Sequence, residues 1–119
     1  MTIRSRFKIP TYNCVIHIIV TDDIITEANK LFKKYKAPTR WKEETEGALI
    51  SDDLQDYYLL FNTDYLTYNT ITHENFHAAM HITKDRVIND EESQAWINGY
   101  VNENVFKFLE KKKFIIKHG

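Results

Sequence analysis

The chain predicts an α+β fold in which a small, mostly antiparallel sheet packs against a mid-chain helix and a long C-terminal one. Two observations carry this. Short runs rich in β-branched and aromatic residues fill much of the first half, at 12–20, 48–51 and 56–62. From residue 70 onward, apolar residues recur instead at helical spacing. With 119 residues, 43% hydrophobic content, three Gly and two Pro, the chain has material for one core and no flexible linker, so a single domain over 1–119 is expected.

The N-terminal "MTIRSRFKIP" alternates charge with apolar residues and has no continuous apolar stretch, so it does not read as a signal peptide. It is expected to be a short arm ended by Pro10. No run is long enough to span a membrane, and residence in the cytoplasm of the producing or infected cell follows as the expectation. Residues 12–20, "YNCVIHIIV", are expected to form a strand buried on both faces. Its lone Cys14 cannot close an intrachain disulfide and suits a small buried hydrophobe.

Thr21 or Asp22 can cap a helix in "TDDIITEANKLFKKYK", where Ile24, Ile25, Ala28, Leu31, Phe32 and Tyr35 share a face. Lys30, Lys33, Lys34 and Lys36 suit its C-terminal end as a solvated face, and Pro38 stops it. "ALIS" and "DYYLLFN", joined by "DDLQ", predict an antiparallel hairpin after the acidic "KEETEG". A short helix then starts at Asn69 or Thr70, with Ile71, Phe76, Ala79, Met80 or Ile82 in apolar contact. In the last helix Glu92, Ala95, Trp96, Gly99, Tyr100, Glu103 and Phe106 recur at i, i+3, i+4 and i+7 steps. That face is expected to press on the preceding helix, with Gly99 permitting close approach.

The net charge of −1 supplies no broad basic field, so nucleic acid is not expected as a partner. The chemistry concentrates in "TITHENFHAAMHI", residues 70–82. His73 and His77 lie four residues apart, one above the other on a helix, and can offer a nitrogen each to one ion. Zinc takes such nitrogens, and a catalytic site leaves a position open for water. Glu74 would face that water as general base. His81 would sit about 12 Å along the axis from His73, too far to share the ion, and is set aside as a surface residue or a substrate contact. A third ligand must come from elsewhere. Glu92 is the candidate, with Glu91 its rival, because Glu92 shares the face of Ala95, Trp96 and Gly99.

"HENFH" followed by "EESQAWINGY" resembles the HExxH zincin metallopeptidases of the glutamate-ligand type, in particular small zincin-like proteins of bacteriophages and mobile elements. The likeness rests on His73, Glu74, Phe76, His77 and Ala78, then on Glu92, Ala95, Trp96, Gly99 and Tyr100. It implies a minimal zincin-like domain, Zn2+ held by His73, His77 and Glu92, Glu74 as the catalytic acid/base, and a peptide or protein substrate. Ala95 and Trp96 stand where many such proteins carry an aspartate that supports a zinc-binding histidine. In zincins an edge strand ahead of the active-site helix holds the peptide, and "DYYLLFN" or "ALIS" is the counterpart. Tyr100, Tyr65, Tyr68 and His81 are each chemically able to assist the oxyanion.

The sequence thus supports a zinc-dependent metallopeptidase. Its alternative is a zincin-like binding protein that keeps the zinc and acts on a host or defence protein without hydrolysis. The remaining reading is a plain α+β protein whose helix carries three histidines and no metal.

Overall fold

A computed structural model describes residues 1–31, 45–52 and 55–119. The fold is α+β. Among these residues a mixed sheet of order β1-β2-β4-β3 is built from β1 (Thr2–Ile9), β2 (Cys14–Thr21), β3 (Gly47–Asp52) and β4 (Asp56–Asn62). The two outer pairings are antiparallel and the central β2–β4 pairing is parallel.

The expected N-terminal arm is instead an edge strand. Its alternation of charge with apolar residues is the period of two that a strand requires. Ile3, Phe7 and Ile9 share one face, opposite Val20, Ile16 and Cys14 of β2, while Arg4, Arg6 and Lys8 share the other. Pro10 follows the last paired residue, where it interrupts no ladder. β2 is covered on both sides as expected: Ile16, Ile18 and Val20 enter one cluster and Ile19 the other. β3 and β4 pair antiparallel as expected, and β3 is the outer strand of the sheet among the described residues.

Helix α1 (Ile24–Leu31) packs Ile24 and Ala28 against Ile19, Ala48, Ile50 and Leu60. Asp23 supplies the cap instead of Thr21 or Asp22, accepting bonds from the Thr26 amide at 3.1 Å and hydroxyl at 2.6 Å. The expected continuation through Phe32 and Tyr35 to Pro38 lies outside the described residues.

Helix α2 (Tyr68–Asp85) and helix α3 (Glu91–Lys111) cover the other face of the sheet. α2 starts earlier than expected, because Thr67 is its N-cap and accepts from the Thr70 amide. At 18 residues it is also longer. Asp90 caps α3 through the Ser93 amide and hydroxyl. Between the helices, Ile88 donates to the Thr83 carbonyl and Val87 to that of Lys84, a Schellman turn with Val87 at φ 54°.

Ile71, Ala78, Ala79 and Ile82 of α2 meet Ile97, Val101, Val105 and Leu109 of α3 over Ile16, Ile18, Tyr57, Leu59 and Phe61. The inward face of α3 is therefore not the expected one. Glu92, Ala95, Trp96, Gly99 and Glu103 are exposed, and a Cβ on Gly99 would meet nothing within 4 Å. Phe76 is likewise exposed. No helix among the described residues is long and apolar enough to cross a membrane.

Candidate functional site

α2 lies over β3 and β4, while α3 lies over β1. This places the two flanks of α2 in different surroundings. Asn75, fully buried, faces α3 and donates from Nδ2 to Asn102 Oδ1 at 2.9 Å. His77, two residues after Asn75, and His73, two residues before it, each lie about 160° around the helix from it, one on either side, so that they are about 40° apart. The imidazoles therefore emerge on the flank away from α3, on the side of the edge strand.

There His73 Nε2 and His77 Nε2 stand 3.1 Å apart with the rings edge to face. Two neutral imidazoles at this distance share one proton-bearing and one lone-pair nitrogen. Two nitrogens bound to one tetrahedral zinc, each at roughly 2.0–2.1 Å, stand roughly 3.3 Å apart. The pair is thus already spaced as two corners of such a site. Glu74 Oε2 lies 3.9 Å from His73 Nε2. The Glu74 side chain is only 12% exposed against 62% for His73, so the carboxylate sits under the histidine instead of beside it in solvent. Burial pushes the Glu74 carboxyl above the usual range, and the two histidines oppose that shift.

Glu74 is buried by the start of the edge strand. Gly47 and Thr70 lie against it: a Cβ on Gly47 would come within 2.8 Å of Glu74 Cγ and 3.2 Å of Thr70 Cγ2. Glu46, one residue earlier, has its carbonyl pinned by the Asn62 amide at 2.9 Å, and its carboxylate accepts the Thr70 hydroxyl at 3.0 Å. Glu46, Gly47, Asn69, Thr70, His73 and Glu74 together line a cleft of about 370 Å³.

The expected third ligand does not reach this flank. The Asn75–Asn102 bond sets the register of the antiparallel α2–α3 pair, and Glu92 stands ten residues before Asn102, about 15 Å along the axis. It is exposed in the first turn of α3, beside the C-terminal end of α2. The sequence placed it on the helix face marked by Trp96 and Gly99, and that face looks to solvent. Its rival Glu91 is exposed in the same first turn.

Nor does Tyr100 line the cleft. Its hydroxyl donates to the Lys8 carbonyl on β1, the sheet edge opposite β3, and its ring packs on Trp96 and Phe7. Three strand spacings, about 14 Å, separate the two edges. Tyr68 stacks on Phe106 and His118, on the α3 side of α2. His81 is exposed one turn beyond His77, and Tyr65 is exposed just before α2.

Among the described residues no three His, Cys, Asp or Glu side chains converge as they stand to hold a metal. The donor set is two imidazoles and a nearby carboxylate, with Glu46 the further carboxylate lining the cleft. Glu46 and Gly47 were missed in the sequence because "KEETEG" reads there only as an acidic connector. Its return to the start of α2 depends on the β3–β4 pairing, and no local pattern encodes that. Comparison of the chain with models of known families, with curated proteins and with solved structures gives no match.

Proposed function

We propose that the chain is a zinc-dependent hydrolase of peptide bonds, centred on His73, His77 and Glu74. The observation that supports this is the 3.1 Å separation of the two Nε2 atoms with Glu74 held beside them. Zinc bound there would act as a Lewis acid and lower the pKa of a water in its open position. Glu74 would accept that water's proton and return it to the leaving amine. Its burial suits this role, since a carboxylate with raised proton affinity is a better base near neutral pH.

The edge strand gives the substrate a place. Among the described residues β3 pairs with β4 alone, and its other edge would offer main-chain groups to an extended peptide. "ALIS", within β3, is the counterpart of the peptide-holding strand, whereas "DYYLLFN" is interior. Gly47, without a side chain, lets Glu74 and Thr70 pack directly on the start of β3, which holds the base beside the strand where such a peptide would lie.

Metal analysis of the purified protein beside His77→Ala tests the metal. One zinc per chain, lost in the variant, is expected; a native protein free of zinc after refolding with the metal rejects the proposal. Glu74→Gln tests hydrolysis. It should retain zinc and lose about 10²–10⁴-fold in turnover of an unstructured protein substrate. Retained zinc with an unchanged biological effect would instead mark a protein that acts by binding.

A further inference from the structure

We infer that Glu46, not Glu92, supplies the third protein ligand of the metal, so that the site joins the active-site helix to the edge strand and not to the C-terminal helix. This rests on the zinc reading above. Three observations carry it. Glu46 lines the same cleft as His73 and Glu74. Its backbone is anchored to the end of β4 by the bond from the Asn62 amide to its carbonyl. Glu46 is exposed and its carboxylate accepts the Thr70 hydroxyl, its one side-chain bond among the described residues, one helical turn before the histidine pair on the same side of α2.

That hydroxyl bond explains why no three-donor group is formed as the side chains stand. A single neutral hydroxyl is a weak partner for a carboxylate, and a divalent cation a strong one. To bind the metal, Glu46 would exchange the Thr70 hydroxyl for the ion within the cleft that it shares with His73. Glu74, beneath the histidine, is then left as the base. The arrangement also couples the two halves of the reaction: the residue next to the ligand is Gly47, where the peptide edge begins.

Zinc affinity measured by competition with a chromophoric chelator tests this on the native protein and four variants, each checked for native circular dichroism. Glu46→Gln should weaken binding by more than about 100-fold, beyond the 10–100-fold of a residue that only supports a ligand. Glu92→Gln should bind as the native protein does. Thr70→Val removes the hydroxyl that restrains Glu46, and should bind zinc at or above the native level. Native affinity in Glu46→Gln overturns the inference, as does equal weakening in Thr70→Val, which would make the Glu46–Thr70 contact merely structural. If His77→Ala loses zinc while Glu46→Gln keeps it, the hydrolase proposal stands and this assignment falls. If the native protein binds none, both fall.

Discussion

Val87 and Gly99 occupy each other's natural positions. Val87 closes the Schellman turn after α2 at φ 54°, where a β-branched side chain crowds the backbone and glycine does not. Gly99 sits inside α3, has no positive φ and leaves open space where a Cβ would stand. A helical interior glycine costs roughly 0.5–1 kcal/mol relative to alanine, mainly through chain entropy. Gly99→Ala should therefore stabilise by that amount, and Val87→Gly by about 1 kcal/mol, since the left-handed region costs a side chain about 1–2 kcal/mol. Both are read from denaturant midpoints at unchanged slope. Destabilisation by Gly99→Ala would show that something packs closely on that helix surface after all.

At the scale of elements, the contact of edge strand with active-site helix governs the site. Gly47→Ala would set a Cβ 2.8 Å from Glu74 Cγ, 3.2 Å from Thr70 Cγ2 and 3.3 Å from the Leu60 carbonyl, so either β3 or Glu74 must shift. Overpacking of this kind costs about 1–3 kcal/mol. The same substitution should depress any hydrolysis more than zinc affinity, because it displaces the base before the histidines; equal loss of both would place Gly47 in the fold alone. This contact also marks how far the sequence could be read. β2, the β3–β4 hairpin and α3 were legible because β-branched and aromatic runs and helical spacing are local signals, whereas the alternation of Thr2–Ile9 was passed over and that segment is β1. The histidine pair was legible for the same reason, being one turn of one helix. Which helix faces meet was not. Large aromatics at Trp96 and Tyr100 marked one face of α3, yet they pack toward Tyr12 and Phe7 at the rim of the sheet. The inward face is built from Ile97, Val101 and Val105 with Asn102, a less conspicuous pattern of small apolar groups and an amide. The expected place of Glu92 beside the histidines followed from that one choice of face.

For the whole molecule, the titrating carboxylates divide by sign, and the division fixes how stability depends on pH. Side-chain and backbone bonds from Thr26 hold Asp23 below the usual carboxylate range, and those from Ser93 do the same for Asp90. Burial pulls Glu27 upward, but bonds from Arg4 and Lys30 outweigh it and leave it lowered. These three groups favour the fold when ionised. Their contribution is complete above the ordinary carboxylate range and is lost as pH falls through their lowered values. Glu74 has the opposite sign, since burial raises it and its ionised form disfavours the fold. Its penalty is absent at acid pH, grows as pH rises above the ordinary carboxylate range, and is complete above its raised value. Native stability should therefore fall on acidification, while Glu74→Gln should be more stable than native at neutral pH, with a gap that closes as pH falls toward the ordinary range. Arg4→Ala provides the contrasting case. Glu27 is 5% exposed and bonded to Arg4 across β1 and α1, with Lys30 left as its remaining partner at 3.1 Å. The loss should be about 1 kcal/mol at neutral pH, below the roughly 1.5–3 kcal/mol of a bond to a charged group because solvent screens the half-exposed Arg4, and should shrink once Glu27 is protonated. Urea unfolding of the three proteins across a pH series measures all of this. Gaps that stay constant with pH for both variants would show that folding does not shift Glu74 and that Arg4 does not shift Glu27, against this account.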